Sequence, residues 1–538
     1  MCAHHSLDGG NLLGGRWLAP CQWPVSPIRI FYVMTWMRLL LDRPAWACLA
    51  LAVTQCVVWT LAPALTHSAP PLDVVEGYLW GKEWVVGTYK HPGLPGWVLE
   101  VSRQLTGAIG WPAYLASQLF IAATYLFVFM LGRDIMGGER ALAGTLLLTG
   151  VFYFAWPSIE FNHNVAQMPF WAGMAWTLWR ARQSGEIIWW VLLGALGAES
   201  LYAKLSSGLF LIAAAGWILL DPPLRRQVLQ PQPYVGLAVF AVVAAPLVMW
   251  LITSDFIALR YMSARGAGSV EAPISFLGAQ VLAALGLLVM LVVGGLHRRP
   301  VAVAGVAWLE VAPAGIRYLA YMTFVPVLVP VMVAFAAGTG LKSMWGMPML
   351  ALAGLLAIAL AGSRFSRRSL ERIARAAGVL LLLVPFGYAI DTVWESSLTG
   401  QMKRQSWPQT EISERLTRRW VEATQKPLGI VAGERWVAGI VALSGQSMPS
   451  ILTLGDLTLA PWITPERLST QGALVVWQEL PELPGPPAYL VPLIGQAPLG
   501  REQFPWPRFP HAAPLIIGYA ILPPGQATAV SANPPAAP

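Results

Sequence analysis

Asp73 and Glu76 lie three residues apart in the stretch Leu72-Asp73-Val74-Val75-Glu76, which is followed by Tyr89-Lys90-His91-Pro92. If the segment after Pro71 is helical, as the spacing of Leu72, Val75 and Leu79 predicts, the two carboxylates share one face. Paired carboxylates suit general-base work, in which one takes a proton from an attacking hydroxyl while the other positions it. The same pair also reads as the polar face of an interfacial helix. Lys90 and His91, stiffened by Pro92 and Pro95, make a compact donor set for a phosphate oxygen; the alternative is a solvated turn whose prolines merely end a helix.

Three further groups could join this chemistry. The turn Trp156 to Asn164 carries Glu160, Asn162, His163 and Asn164, hydrogen-bonding groups suited to sugar hydroxyls. Glu160 and His163 could also hold a divalent metal, although two ligands fall short of the usual set. Lys204, preceded by Glu199 and Tyr202, lies in or at the edge of an apolar span. An ammonium there requires a carboxylate or an anionic ligand, unless it snorkels to lipid headgroups. Lys342, just before Trp345-Gly346-Met347-Pro348, reads the same way.

These residues sit in a very apolar chain. Of 538 residues, 56% are hydrophobic and 12% charged, and the mean hydropathy is +0.57. That composition excludes a soluble globular protein and identifies a polytopic membrane protein. The net charge of +8 does not indicate nucleic acid, because the positive residues occupy short connectors between apolar runs, where they set orientation.

Runs long enough to cross a bilayer, roughly 17–25 residues, are expected near 45–65, 112–131, 141–157, 165–180, 187–203, 205–220, 233–253, 273–296, 318–338, 347–363 and 377–391. Connectors holding Arg133 and Arg140, Arg180 and Arg182, Arg225 and Arg226, Arg298 and Arg299, and Arg364 to Arg375 alternate with the polar loop at 66–111. The positive-inside tendency makes them cytoplasmic. The loop at 66–111, the turns at 158–164 and 339–346, the loop at 254–272 and everything after about 391 then face outward. All six lysines (Lys82, Lys90, Lys204, Lys342, Lys403, Lys426) fall on that side.

Residues 392–524 are Pro-rich, less apolar, and contain strand-like runs at Gly429–Ala432 and Ala473–Trp477. They predict a small extracytoplasmic α/β domain, followed by a disordered Pro/Ala tail at 525–538. Residues 1–36 lack the apolar core and cleavage site of a secretory signal and read as a disordered extension, with Met34 or Met37 as alternative starts. The four cysteines, Cys2, Cys21, Cys48 and Cys56, all fall in or before the first span, so the outward loops have no possible disulfide.

From about residue 45 to 391 the chain resembles the GT-C glycosyltransferases that use a polyprenyl-phosphate sugar, the group of the protein O-mannosyltransferases and lipid A aminoarabinose transferases. The resemblance rests on the acidic first outer loop, on Tyr89-Lys90-His91-Pro92, which is similar to an aromatic–His–Pro–Pro element, and on the turn from Glu160 to Trp171. Asp221-Pro222-Pro223 with Arg225, and Trp345-Gly346-Met347-Pro348, are further landmarks. It implies a mainly α, polytopic fold of about eleven spans in the bacterial inner membrane, with the active site on the periplasmic face.

The reaction it implies is an inverting transfer to a hydroxyl of a lipid, glycan or protein, with Asp73 or Glu76 as base or acceptor-positioning group. Lys90, His91, Lys204 and Lys342 would meet the donor phosphate, and Glu160, Asn162, His163, Asn164 and Trp345 the sugar or acceptor. Two departures stand out: Val74 and Val75 separate carboxylates that are adjacent in the family, and Gly93 replaces the second proline. Lys90 lies near the position where the aminoarabinose transferases carry an acidic residue that helps bind metal, which puts metal dependence in doubt. A transporter or flippase of lipid-linked sugars, and a catalytically dead member serving as a binding subunit, are the alternatives. The sugar and the acceptor are not legible.

Overall fold

The computed structural model describes residues 39–267, 273–297, 311–399, 402–443, 448–480, 482, 484–509 and 511–526. The expected N-terminal extension and almost all of the expected C-terminal tail therefore lie outside the described residues. From Pro44 onward the chain forms one compact unit.

The first apolar run folds as α1 (Pro44–Thr66), and the polar loop after it contains two short helices, α2 (Leu72–Lys82) and α3 (Leu94–Thr106). The chain returns through α4 (Trp111–Met136) and reverses into α5 (Gly138–Leu147). Next come α6 (His163–Ser184), α7 (Ile187–Ala203), α8 (Gly208–Leu220), α9 (Pro231–Thr253) and α10 (Ile257–Ala267). The helical part closes with α11 (Pro273–Ala283), α12 (Leu285–Val293), α13 (Pro313–Ala337), α14 (Ala353–Ala361) and α15 (Arg367–Thr399).

Among the described residues, six helices or continuous helix pairs are long and apolar enough to cross a membrane, or eight if two bent pairs each count as one span. One pair, Gly138–Gly150 with Phe152–Ile159, bends by 86° where Val151 takes an extended backbone. The other, Ser343–Leu350 with Ala353–Arg364, bends by 51° just after Pro348. The expected spans at 165–180, 187–203 and 205–220 are helical, but α7 and α8 are short and α6 has polar ends. By length and composition, six to eight spans are therefore met among the described residues, with α7 and α8 as shorter apolar helices beside them.

The arginine-bearing connectors at 133–140, 180–182, 225–226 and 364–375 gather at one end of the bundle, while Arg298 and Arg299 lie outside the described residues. Arg180 Nη1 lies 3.7 Å from Asp134, Arg182 Nε 3.0 Å from Asp221, and Arg367 Nη1 2.5 Å from Glu139. These pairs tie together connectors that are far apart in sequence. The polar loop lies at the other end of α4, a helix of 26 residues.

On the loop's side, α16 (Gln409–Thr424) leads into a five-stranded sheet of order β2-β1-β3-β5-β4. Its strands are β1 (Ile430–Gly433), β2 (Ser450–Thr453), β3 (Ala473–Glu479), β4 (Leu499–Phe504) and β5 (Leu515–Leu522). β1 runs parallel to β2 and β3, and β5 antiparallel to β3 and β4. The crossover helix α17 (Arg435–Ala442) joins β1 to β2, and α18 (Pro465–Gln471) precedes β3. Ile430, Leu452, Val475 and Trp477 form part of the core beneath the sheet. The expected strand runs coincide with β1 and β3.

The sheet is fastened to the loop. Lys82 Nζ donates to the Met448 carbonyl, Arg508 to the Thr66 carbonyl, and Ser450 Oγ to Glu83 Oε1 at 2.6 Å.

Within the loop, α2 and α3 cross at Gly81 and Gly96. A Cβ on Gly81 would stand 2.0 Å from the Gly96 carbonyl oxygen, so no side chain fits without separating the two backbones. Gly81→Ala is expected to destabilise the protein by about 1–3 kcal/mol through overpacking, measured as a lower unfolding temperature in detergent.

Candidate active site

The turn that presents Lys90 and His91 is built locally. Gly87 and Pro92 form an antiparallel bridge, Thr88 N–H donates to the His91 carbonyl at 2.8 Å, and Thr88 Oγ accepts from the Lys90 and His91 amides at 3.3 and 3.2 Å. Gly93 N–H then donates to the Val86 carbonyl at 2.8 Å, and a Cβ on Gly93 would stand 2.3 Å from the Val85 carbonyl oxygen. A proline here would lose the donor, and any side chain would strike the backbone. This accounts physically for the glycine in place of the family's second proline.

The turn sets Lys90 against α2. Its Nζ lies 2.6 Å from Glu76 Oε2 and 3.4 Å from Asp73 Oδ1, and 5.9 Å from the centre of the Trp80 ring. Both carboxylates do share a helix face, but Lys90 is bound into their pair rather than standing apart for the donor. Arg435 adds a second cation, with Nη1 3.3 Å from Glu76 Oε1. Glu76 is therefore buried and bonded on both oxygens, whereas the Asp73 side chain keeps 33% of its exposure.

Burial acts to raise the Asp73 carboxyl, but Lys90, His163 and Arg435 outweigh it and hold the group below its ordinary value. Burial dominates at Glu76, helped by the charge of Asp73, and pushes that carboxyl up. For Lys90 the opposing carboxylates overcome the effect of burial and raise the ammonium.

The second turn closes over the first. Asp73 N–H donates to Glu160 Oε1 at 2.9 Å. Burial, reinforced by the charge of Asp73, pushes the Glu160 carboxyl up to about 8. Asn162 is the N-cap of α6, its Oδ1 accepting from Asn164 and Val165 amides at 2.9 and 3.3 Å; that oxygen is committed to the helix. The His163 ring lies against His91 with centroids 3.9 Å apart and planes tilted by 31°, and its Nε2 lies 3.3 Å from the Pro92 carbonyl.

Lys204, at the turn after α7, donates to Asn164 Oδ1 at 2.5 Å and faces the Trp345 ring at 5.6 Å. Trp345 in turn donates its amide to the Lys342 carbonyl at 2.9 Å, and the Lys342 side chain is half-buried. Among the described residues Lys204 pairs with no carboxylate. Burial pushes its ammonium down to about 7.

A continuous run of contacts thus links all eleven residues singled out from the sequence. Arg435 and Trp80 were missed, as was Tyr261 of α10, whose ring meets Tyr89 edge-on at 5.6 Å. Only Trp80 carried a sequence signal, as an aromatic between the two polar segments. Among the described residues no three His, Cys, Asp or Glu side chains converge as a metal site. Lys90 Nζ fills the space between Asp73 and Glu76, so these residues do not fit a divalent ion.

Two solved structures of ArnT from Cupriavidus metallidurans share this fold. The one bound to undecaprenyl phosphate matches with a TM-score of 0.56 and 13% identity, covering 88% of this chain and 97% of that one. The apo structure matches with a TM-score of 0.56 and 13% identity, covering 90% and 98%. The chain is thus a multi-pass membrane protein with the GT-C type of fold seen in ArnT. Within it, residues 90–250 match the family model described as dolichyl-phosphate-mannose-protein mannosyltransferase. No curated protein sequence matches the chain.

Proposed function

We propose that the protein is an inverting glycosyltransferase that moves a sugar from a polyprenyl-phosphate donor to a hydroxyl of a lipid, glycan or protein, on the periplasmic face of the bacterial inner membrane. The observation that carries this reading is Lys204: a buried ammonium, held by an amide and faced by an indole, with no carboxylate partner among the described residues, beside a carboxylate pair. A buried cation without a counter-ion is costly, and a phosphate monoester supplies one. The family match over residues 90–250 and the fold shared with ArnT, solved with undecaprenyl phosphate, support the same reading.

In the proposed reaction the acceptor oxygen bonds to the anomeric carbon from the side opposite the phosphate. The bond from that carbon to the phosphate oxygen breaks, and the hydroxyl proton passes to Asp73. Asp73 is the better base because it is ionised and partly exposed, while Glu76 has both oxygens engaged. Glu160 fixes the Asp73 backbone, and Lys204, with Lys342 nearby, receives the departing phosphate by electrostatic stabilisation. His163 lies within electrostatic reach of both Asp73 and Lys204, and Asn164 holds the Lys204 ammonium.

Native mass spectrometry of the purified protein tests the donor side. The wild type is expected to retain undecaprenyl phosphate over uncharged undecaprenol, and Lys204→Met to lose affinity by roughly ten- to a hundredfold, the worth of one charge-assisted bond. Equal retention of the two lipids by the wild type would overturn the reading. Comparing envelope lipids and glycans of wild-type and deletion cells then identifies the transferred sugar as a missing mass.

A further inference from the structure

Glu76 receives its second cation from a part of the chain that the loop does not contain. Arg435 opens α17 immediately after β1, and its position is set locally: the Glu434 side chain accepts from the Trp436 amide at 2.8 Å and caps the helix. Arg435 Nη1 then reaches Glu76 Oε1 at 3.3 Å, while Lys90 holds Oε2 at 2.6 Å. Around this pair α2 and the sheet pack closely, leaving a crevice of only about 10 Å³ bordered by Leu79, Trp80, Ile451, Thr453 and Trp462.

We propose that Arg435 is a positioning residue for transfer: it anchors Glu76 from the sheet side, so that Lys90 is held toward Asp73, the base. The inference rests on the glycosyltransferase reading but adds a duty for the sheet. Glu76 is faced by Lys90 and Tyr89 of the turn, Asp73 of its own helix, Glu160 of the second turn and Arg435 of α17. Removing Arg435 takes away one of two positive charges and leaves burial and two carboxylates opposed by Lys90 alone, which raises the Glu76 carboxyl further.

Dicyclohexylcarbodiimide modifies protonated carboxyls, and mass spectrometry of the full chain in lipid nanodiscs can follow Glu76 against pH, with Glu100, paired to Arg103 at 2.7 Å, as internal reference. Arg435→Met is expected to move half-modification of Glu76 upward by about one pH unit, leave Glu100 unchanged, and slow transfer about tenfold while undecaprenyl phosphate binding persists. Arg435→Lys should restore most of both, and it keeps the test decisive if the methionine variant folds poorly. A wild-type Glu76 profile in Arg435→Met, or a wild-type transfer rate, overturns the proposal. If instead the wild type binds no undecaprenyl phosphate, the glycosyltransferase reading falls while a shift at Glu76 would still establish the Arg435 contact.

Discussion

Asp73→Asn should lower sugar transfer by roughly 10²–10⁴-fold, the usual contribution of a positioned general base, with membrane insertion and undecaprenyl phosphate binding intact. The amide keeps the size and one acceptor of the carboxylate but cannot take the acceptor's proton. Because Asp73 is partly exposed and meets Lys90 at 3.4 Å rather than in a tight pair, the substitution leaves the rest of the loop in place. Glu76→Gln should behave differently. It removes the charge shared by Lys90 and Arg435, and transfer falls together with stability. Measuring product formation alongside the unfolding temperature separates the two cases, and full activity in Asp73→Asn would remove it as the base.

The second large effect is expected at Lys90. Its ammonium is the common partner of Asp73 and Glu76, so Lys90→Met leaves the two carboxylates together with Arg435, on Glu76, as their remaining counter-charge. Removing one partner of a buried ion pair costs roughly 3–5 kcal/mol. The sign with pH follows from the groups involved. Without Lys90 the carboxyls titrate above their unfolded values, so the penalty is greatest at high pH and is relieved as they protonate. Glu160, already pushed up to about 8, adds to the repulsion above that pH. The deficit of Lys90→Met against wild type, read as unfolding temperature in detergent, should therefore shrink steadily from pH 8 to pH 5. A pH-independent deficit would mean that Lys90 matters through packing alone.

Much of this site was legible in the sequence because ionisable residues inside an apolar chain are conspicuous. The spacing of Leu72, Val75 and Leu79 placed Asp73 and Glu76 on one helix face, and alternating arginine connectors brought the turns at 90, 160, 204 and 342 to one end of the bundle. The duties within the cluster were harder to read. Asn162 has the residue type and position of an N-cap, and its oxygen serves α6 rather than standing free. Lys90 looked like a phosphate ligand because charge pairing across fourteen positions of an irregular turn has no periodicity. Arg435 carried no signal at all, since its partner lies 359 residues earlier. The expected spans at 187–203 and 205–220 are present as the apolar helices α7 and α8, which are shorter than the other membrane-length helices.

The long separation between Glu76 and Arg435 also bears on how the protein is made. Glu76 emerges early in synthesis, with Lys90 close behind as its first counter-charge. Arg435 appears only after the last long helix has been inserted and the tail has been carried to the loop's side. Until β1 and α17 fold and dock, one oxygen of Glu76 has no cation, and the contacts of Lys82 with Met448 and of Glu83 with Ser450 are missing as well. The arrangement ties maturation of the loop to completion of the whole chain, so a prematurely terminated polypeptide would carry every residue of the carboxylate pair and still lack a finished site.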